Sequence, residues 1–511
     1  MANSDVRSYL TQAQSAIASA IAALPADSTV PPPVPPIHVT AGQNLQTALD
    51  AAAISGQNIV IDDPGTYVGG ILRGRDPNSA PIDITQSVTP PMPAGTRIAT
   101  APPVFIAPVA GTNTNIATAK GAHGYVFRGL GFSSPGIYGQ MIALETGATT
   151  DADFPDTIAI QGCWLDGGNA CKRGIQGNAK NLVVMDSKIF GVMKIGQDTQ
   201  AIGIATGPGP FLIQNNYLSA GSETMIVGGD DPLIQGLIPS NGIVRGNYFT
   251  KDMAWITTKQ VAKNAFELKN ADNWIIEHNI FENSWIDEQS GWLIQFTVRN
   301  QGGKAPWSTV SNIEFGFNVC RRGYCGINLL GLDDDTPKDS TVVYPSVRMN
   351  NINIHDILFY DLGRADFGSG TKFGIGLNNG INNLTMKNLT MLGPVSEMLA
   401  LTLGKSNTPS NNAQILNSIF FEGNYGIMSS ALTTPGTASW QAGVDAASVF
   451  DYNMIIAGGV RKIPYPGANT KVVPTMPMTL PFTPPAMLGN DGNQVGVDIA
   501  KLQSLIPEFT F

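Results

Sequence analysis

The sequence predicts a right-handed parallel β-helix, a solenoid of about ten coils, and two observations favour this fold. The first is a short strand motif, in which Asn, Gly or Asp precedes an apolar or aromatic pair, recurring about every 30 residues. The second is another series of apolar strands between these motifs, so that each repeat reads as strand, turn, strand and loop. Such a repeat cannot bury its own apolar face, but stacked coils bury one continuous core.

The repeat can be measured from one residue in each motif. These residues are Gly129, Gly162, Asp186, Asn216, Asn247, Asn279, Asn318, Asp356, Asn388 and Asn417. They are 33, 24, 30, 31, 32, 39, 38, 32 and 29 residues apart, a period near 30 that varies by insertion. We expect them at the bend between strands, where stacked amides hydrogen-bond along the axis and tolerate left-handed backbone angles. A β-sandwich or a β-propeller is the rival fold, but propeller blades need four strands in about 40 residues.

Four further segments complete the predicted organisation. Residues 1–30 should form a helical anchor, because apolar residues recur there at spacings of three and four. Residues 31–37, PPPVPPI, predict a stiff linker. The β-helix is expected over 38–432, beginning with a capping helix near 43–53 that covers the first coil. Residues 433–511 are expected to supply closing strands and a cap for the far end.

Composition excludes several partners. The net charge of −9 gives no overall attraction to nucleic acid or to an anionic membrane. No stretch reaches the roughly 18 apolar residues of a membrane span, and the first residues lack the pattern of a secretion signal. The four histidines and four cysteines show no zinc-ligand spacing. Cys163 with Cys171, and Cys320 with Cys325, are either short-loop disulfides or buried free thiols.

The candidate site follows from the pleat of the second strand series, in which alternate side chains point outward. In FELKN, the alternation turns Glu267 and Lys269 away from the core. In LIQFTVRN of the next coil, it turns Gln295, Thr297 and Arg299 outward. One interpretation of this cluster is structural, because opposite charges stacked along the axis contribute a few tenths of a kcal/mol per pair.

The other interpretation is cleavage of an acidic polysaccharide. A lyase must neutralise a uronate carboxylate, remove the neighbouring carbon-bound proton and stabilise the enediolate that forms. Lys269 would be the base and Arg299 the electrophilic clamp, with Glu267 beside them. Hydrolysis is the alternative chemistry and needs two carboxyl groups about 5–10 Å apart, for which Asp230 and Asp231 are candidates. Paired aspartates more often cap a turn.

Substrate contacts are expected from residues of neighbouring coils. Those predicted are Gln295, Thr224, Asn328 and Trp292. Exposed indoles offer flat apolar faces to sugar rings. Tryptophans crowd the middle coils, at Trp255, Trp274, Trp285, Trp292 and Trp307. Burial of these tryptophans in the core is the alternative.

Residues 38–430 resemble pectin-lyase-like β-helix proteins of environmental bacteria. The resemblance is carried by GPGPFLIQNNYLSAGSETMIVGGDDP, NAFELKNADNWIIEHNIFENSW and IQFTVRNQGGKAPWS. It implies the fold and leaves the reaction open. Polysaccharide lyases of this fold use Lys and Arg and often hold calcium on acidic residues, so Glu267 would be the calcium-holding analogue; no other cofactor or metal is expected. The polygalacturonase residue set is not reproduced, since no G-H-G follows GGDDP.

The beginning of the chain resembles a bacteriophage tail spike or fibre, in which a short anchor and spacer precede the β-helix. This resemblance implies a virion-attached, homotrimeric receptor-binding protein that binds, and in some cases cleaves, a carbohydrate polymer of the host surface. The N-terminal helix would contact the virion or a tail protein. The alternatives are a bacterial extracellular polysaccharide lyase or glycoside hydrolase, and a purely structural spike.

Overall fold

The computed structural model describes residues 34–93, 95–134, 139–144, 147–258, 261–334, 345–458 and 462–510. The described residues divide into two compact units. The first unit lies within 1–226 and 232–248, and the second within 227–231 and 249–511. The predicted anchor over 1–30 and the first part of the predicted linker lie outside the described residues.

The first unit is built from three parallel sheets whose strands pair from coil to coil. The first sheet contains Ile37–Val39, Ile59–Ile61, Ile82–Gln86, His123–Arg128, Asp156–Gln161, Lys180–Met185, Phe211–Gln214 and Ser240–Arg245. The second sheet contains Gly70–Leu72, Thr114–Thr118, Gln140–Ala143, Arg173–Gln176, Gln200–Ile204 and Glu223–Val227. The third sheet contains Gly65–Val68, Val104–Ala107, Gly131–Ser133, Trp164–Asp166, Lys188–Val192, Tyr217–Ala220 and Tyr248–Thr250. Strands 223–227 and 248–250 begin in this unit and end in the second.

The second unit repeats this arrangement. Its first sheet contains Ala271–Glu277, Val310–Gly316, Asn350–His355, Asn382–Lys387, Asn411–Leu416 and Val449–Asp451. Its second sheet contains Asn264–Leu268, Trp292–Thr297, Cys325–Leu330, Phe373–Asn378, Glu397–Thr402 and Ile427–Ser429. Its third sheet contains Ile280–Ser284, Val319–Gly323, Leu358–Leu362, Thr390–Met391, Ile419–Phe421, Met454–Ile456 and Lys471–Val473.

These parallel sheets confirm the predicted β-helix. Ten strands of the first sheets carry the repeat motif found in the sequence, and four described strands without it extend the series. Short helices and turns complete the fold. The described helices are Leu45–Ser55, Ala254–Thr257, Thr437–Gly443 and Ile499–Leu505, with 3₁₀ turns at Asp151–Asp153 and Ala365–Phe367. None of the described helices is long and apolar enough to cross a membrane.

The predicted capping helix is confirmed at Leu45–Ser55, two residues later than expected. It begins where the Asn44 side chain accepts a hydrogen bond from the Gln46 N–H, which satisfies one of the free donors of the first turn. It ends at Gly56, whose φ of 73° suits a residue without Cβ. The buried residues Leu45, Ala48, Leu49 and Ala52 cover the apolar end of the coils.

The predicted amide stacking at the bends is confirmed, but its register is shifted by one residue at four positions. The Asn216 N–H donates to Asn247 Oδ1 at 2.9 Å in the first unit, and the Asn279 N–H donates to Asn318 Oδ1 at 2.9 Å in the second. These four side chains are buried, so they satisfy backbone donors inside the coils. The left-handed angles belong instead to the residues before them, Asn215, Gly246, His278 and Phe317.

The C-terminal region both extends the sheets and covers one of them. Its strands Val449–Asp451, Met454–Ile456 and Lys471–Val473 continue the parallel pairing. Residues 487–509, named here the tail segment, then lie along the third sheet of the second unit. The Val497 N–H donates to Thr390 Oγ1 at 3.0 Å, and Phe509 packs on Tyr360 with ring centroids 6.2 Å apart. This segment therefore covers the side of several coils.

The four cysteines are buried free thiols, which settles the alternative left open by their spacing. Burial raises the pKa of Cys163, Cys171 and Cys325 to about 12. Thiols of this kind are protonated and unreactive, so they serve as small core residues.

Candidate functional site

The outward column of the second sheet in the second unit contains the predicted residues in register. Glu267 pairs with Gln295, and Gln295 pairs with Asn328 in the next coil. Phe266 and Leu268, on either side of Glu267, are fully buried in the core, as the pleat predicts. The alternation of inward and outward side chains is therefore confirmed for this sheet.

The outward position of Glu267 predicts an exposed carboxylate, but the structure shows a buried one. Only 1% of it is exposed. Its Oε1 accepts from Thr297 Oγ1 at 2.9 Å and its Oε2 accepts from Asn264 Nδ2 at 3.1 Å. Lys269 Nζ lies 3.7 Å from the same Oε2. The outward column is covered because long polar side chains from the same and the next coil fold over it.

The predicted base and clamp lie in adjacent coils. The Arg299 N–H donates to the Lys269 carbonyl at 2.9 Å, so the two backbones are hydrogen-bonded neighbours. Each cation faces a carboxylate: Lys269 pairs with Glu267, and Arg299 Nη1 lies 3.1 Å from Asp333 Oδ1. The Arg299 side chain is 37% exposed and that of Lys269 only 16%. The paired charges fit the structural interpretation, and Arg299 is the more accessible of the two cations.

A row of side-chain amides continues from Gln295 across three coils. Asn328 Nδ2 donates to Gln295 Oε1 at 3.0 Å, and Asn378 Nδ2 donates to Asn328 Oδ1 at 2.6 Å. We call Gln295, Asn328 and Asn378 the amide row. Coils are about 4.8 Å apart, so the row presents amide groups at that interval along the axis.

A cleft of about 150 Å³ adjoins the amide row at Asn378. It is also lined by Asp333, Asn379 and Lys405, which connects it to the Arg299–Asp333 pair. Asn379 is 3% exposed and its Oδ1 has no hydrogen-bond partner, although its Nδ2 donates to the Leu332 carbonyl at 2.7 Å. A buried acceptor without a donor is costly, but this atom is enclosed by the protein and is not a contact point for a ligand.

The sequence interpretation missed Asn378 and Asn379. Both belong to FGIGLNN, a strand of the same series as FELKN and LIQFTVRN. Applying the pleat rule to this strand would have turned Asn378 outward, in the column next to that of Asn328, because it pairs with Leu330 two positions beyond Asn328. No local signal distinguishes the buried acceptor of Asn379.

The expectation of exposed tryptophans is wrong for four of the five. Trp255, Trp274, Trp285 and Trp292 are 0–8% exposed, and only Trp307 is half-buried. Trp274 takes an inward position of the first sheet, and Trp292 stacks on Phe373 with ring centroids 5.6 Å apart. These indoles add apolar packing to the coils and do not form an open platform for sugar rings.

The remaining predicted residues, Asp230, Asp231 and Thr224, have different surroundings. Asp231 Oδ2 accepts from the backbone N–H groups of Gly302 and Lys304 at 2.9 and 3.1 Å, so it holds a loop, in agreement with the turn-capping alternative. Asp230 is exposed. Thr224 is fully buried within the first unit.

Glu267 also does not fit a calcium site. Its oxygens already accept two hydrogen bonds, and the cationic Lys269 Nζ, 3.7 Å from Oε2, opposes a second cation beside it. Over the described part of the chain, no group of three or more His, Cys, Asp or Glu side chains is placed to hold a metal ion.

Comparison with known proteins gives matches among solved structures only. No protein family and no curated protein matches the sequence. The catalytic unit of a GH87 alpha-1,3-glucanase from Streptomyces thermodiastaticus is 11% identical, with a TM-score of 0.42, over 88% of this chain and 69% of that one. A tailspike protein mutant of E. coli bacteriophage HK620 is 12% identical, with a TM-score of 0.48, over 81% of this chain and 62% of that one.

The A-module of a mannuronan C-5 epimerase from Azotobacter vinelandii is 14% identical, with a TM-score of 0.36, over 84% of this chain and 94% of that one. This chain thus spans less than two thirds of the tailspike chain. The fold of this protein is established by the strand pairing described above.

Proposed function

We propose that this protein binds a carbohydrate polymer along the second sheet of its second unit. The observation that carries the proposal is the amide row, which ends beside a cleft that Asp333 and Lys405 also line. Side-chain amides both donate and accept hydrogen bonds, as sugar hydroxyls do. Because the row spans three coils, it can bind successive units of an extended chain.

The charges at the site favour a neutral or weakly acidic polymer. Lys269 is paired with Glu267 and Arg299 with Asp333, so these cations leave no net positive charge to hold a dense polyanion. Arg299 is accessible enough to donate further hydrogen bonds to a ligand. An occasional acidic group beside neutral sugars fits this arrangement.

Lyase chemistry is the second candidate, favoured by the backbone hydrogen bond that places Lys269 and Arg299 in adjacent coils. Lys269 would take the proton and Arg299 would stabilise the enediolate. At the level of biology, we propose a receptor-binding role on a virion, or a role outside a cell. The support for virion attachment and for a homotrimer is the sequence pattern of residues 1–37.

The test of binding uses the full chain and a panel of bacterial surface polysaccharides. Asn378→Ala removes one end of the amide row, and we expect it to weaken binding about tenfold, or about 1.4 kcal/mol. Asn383→Ala is the matched control, because Asn383 is an exposed amide in a similar ladder of the first sheet. Equal affinity of the two variants and the unmodified chain would exclude the amide row as the binding surface.

The test of cleavage incubates the protein with uronate-containing glycans and measures ultraviolet absorbance. A lyase product absorbs there because cleavage creates a carbon–carbon double bond. Lys269→Ala should abolish the signal if Lys269 is the base. Activity that survives this substitution would reject the lyase assignment and leave the binding proposal intact.

A further inference from the structure

A second cavity lies in the first unit, under a loop formed by residues 87–93 and 95–103. Its volume is about 410 Å³, within the range of small-ligand sites. The loop supplies a wall of Pro90, Met92 and Pro102, and the coils supply the polar side chains of Arg128 and Gln161. None of these residues belongs to the amide row, which lies in the second unit.

The loop is fastened at its far end across several coils. The Ile98 N–H donates to the Asp186 carbonyl at 2.9 Å. Arg97 donates through Nε to the Asn215 carbonyl and through Nη2 to the Gly246 carbonyl, both at 3.1 Å. These contacts hold the loop over the bends of three coils, so the cavity beneath it is preformed.

Glycines at two bends keep the floor of the cavity open. Gly129 and Gly162 have φ of 62° and 58°, a left-handed conformation that other residues rarely adopt. A Cβ on Gly162 would lie 3.8 Å from Met92 Sδ, so any larger side chain would fill the cavity. Asp186 and Asn215 occupy the equivalent bends of the next two coils, and their side chains hydrogen-bond to Gly95 of the loop. Asp186 also lines the cavity, so the same residue bounds the cavity and holds the loop.

The lining is amphipathic, and its guanidinium and carboxylate groups already have hydrogen-bond partners. Arg128 Nε donates to Asp83 Oδ1 at 2.8 Å, and the same guanidinium also donates to Gln161 Oε1. The Asp186 carboxylate accepts from the Gly95 N–H at 3.1 Å. A ligand carrying net charge would gain little here, whereas proline and methionine suit an apolar ring face and Gln161 suits a hydroxyl edge.

We propose that this cavity binds a short neutral saccharide of one or two rings. A pyranose combines an apolar C–H face with a hydroxyl edge, as the lining requires. The volume accommodates one or two such rings and excludes a long polymer segment. The site does not depend on the amide row, so each can exist without the other.

The experiment measures binding of lactose, N,N′-diacetylchitobiose and galacturonic acid to the full chain by ligand-detected NMR. Met92→Trp fills the cavity and should weaken binding of a neutral disaccharide at least tenfold. Ile54→Trp is the matched control, since Ile54 is 91% exposed on the capping helix of the same unit. Gln161→Ala is a second variant that does not depend on how a tryptophan packs, and it should weaken binding severalfold.

Three outcomes would overturn the proposal. They are absence of binding by both neutral disaccharides, affinity unchanged in both Met92→Trp and Gln161→Ala, and equal or tighter binding of galacturonic acid. Asn378→Ala in the same assay separates the two sites. Neutral disaccharide binding lost with Asn378→Ala and kept with Met92→Trp would assign the ligand to the amide row and reject the cavity.

Discussion

The outward column of the third sheet is protected in different ways in the two units. In the second unit, each large apolar side chain of this column is at most 1% exposed. Its residues are Ile280, Val319, Leu358, Thr390, Ile419 and Met454. The tail segment lies against it, because Val497 bonds to Thr390 and Gly496 approaches Ile419 closely. A separate part of the chain therefore covers this column at Thr390 and Ile419.

In the first unit the corresponding column is half-buried and protects itself. It contains Trp164, Lys188, Tyr217 and Tyr248. Lys188 Nζ lies 4.5 Å from the Trp164 ring centre and 5.3 Å from that of Tyr217, and the two tyrosine rings stack 5.7 Å apart. Aromatic rings with polar edges tolerate water on one side, whereas an aliphatic column needs a cover. The residue types of an outward column thus indicate whether another segment lies on it.

Deleting residues 487–511 should produce the largest effect. The deletion exposes several aliphatic side chains of the second unit, each contributing about 1.5–3 kcal/mol when fully buried. We expect a loss on the order of 5 kcal/mol, with the added hydrogen exchange concentrated in the second unit. Exchange measured by mass spectrometry over 419–421 and 188–192 would test this. Equal protection of 419–421 before and after the deletion would contradict the proposed cover.

The pH dependence of stability should differ in sign between the units, through one histidine in each. Burial lowers the pKa of His355, but hydrogen bonds to Asp356 at 2.8 Å and to Glu314 at 2.5 Å outweigh it and raise the pKa to about 9. Unfolded histidine has a pKa of 6.5. The stabilisation is therefore complete below pH 6.5 and lost as pH rises towards 9, on the order of 3 kcal/mol at most.

His123 of the first unit should respond in the opposite direction. Burial is the largest influence and lowers the pKa of His123 below 6.5, so stability is lost as pH falls below that value. Urea unfolding between pH 5 and 9 tests both effects, with His355→Gln and His123→Gln as the variants. His355→Gln should remove the alkaline loss only, and an unchanged alkaline loss in this variant would reject the assignment.

Lys188→Met should produce the smallest effect, because it keeps the apolar stem of the side chain and removes only its charge. A partly exposed cation above aromatic rings contributes about 0.5–1 kcal/mol. We expect a decrease of that size in the free energy of unfolding and a change in Trp164 fluorescence. Lys194→Met, at an exposed position of the same unit, is the control. A loss equal to that of the tail deletion would show that the two units are not protected differently.

For the candidate site, the sequence predicted only which residues of each strand point outward. The column of Glu267, Gln295 and Asn328 follows from alternation within short strands, and the structure places these residues in register. Burial of Glu267 could not be predicted, because it depends on how Asn264, Lys269 and Thr297 fold over it. Side-chain contacts of this kind leave no periodic mark in a sequence.

By itself, the sequence determined the parallel coils, their period near 30 residues, the capping helix and the inward positions of residues such as Phe266. These features follow from local periodicity and capping, which act over a few residues. The tertiary structure alone decided where the loop at 95–98 and the tail segment lie. Gly95 meets Asp186 across 91 residues and Val497 meets Thr390 across 107. Contacts so distant in sequence depend on surfaces that exist only after the coils have stacked.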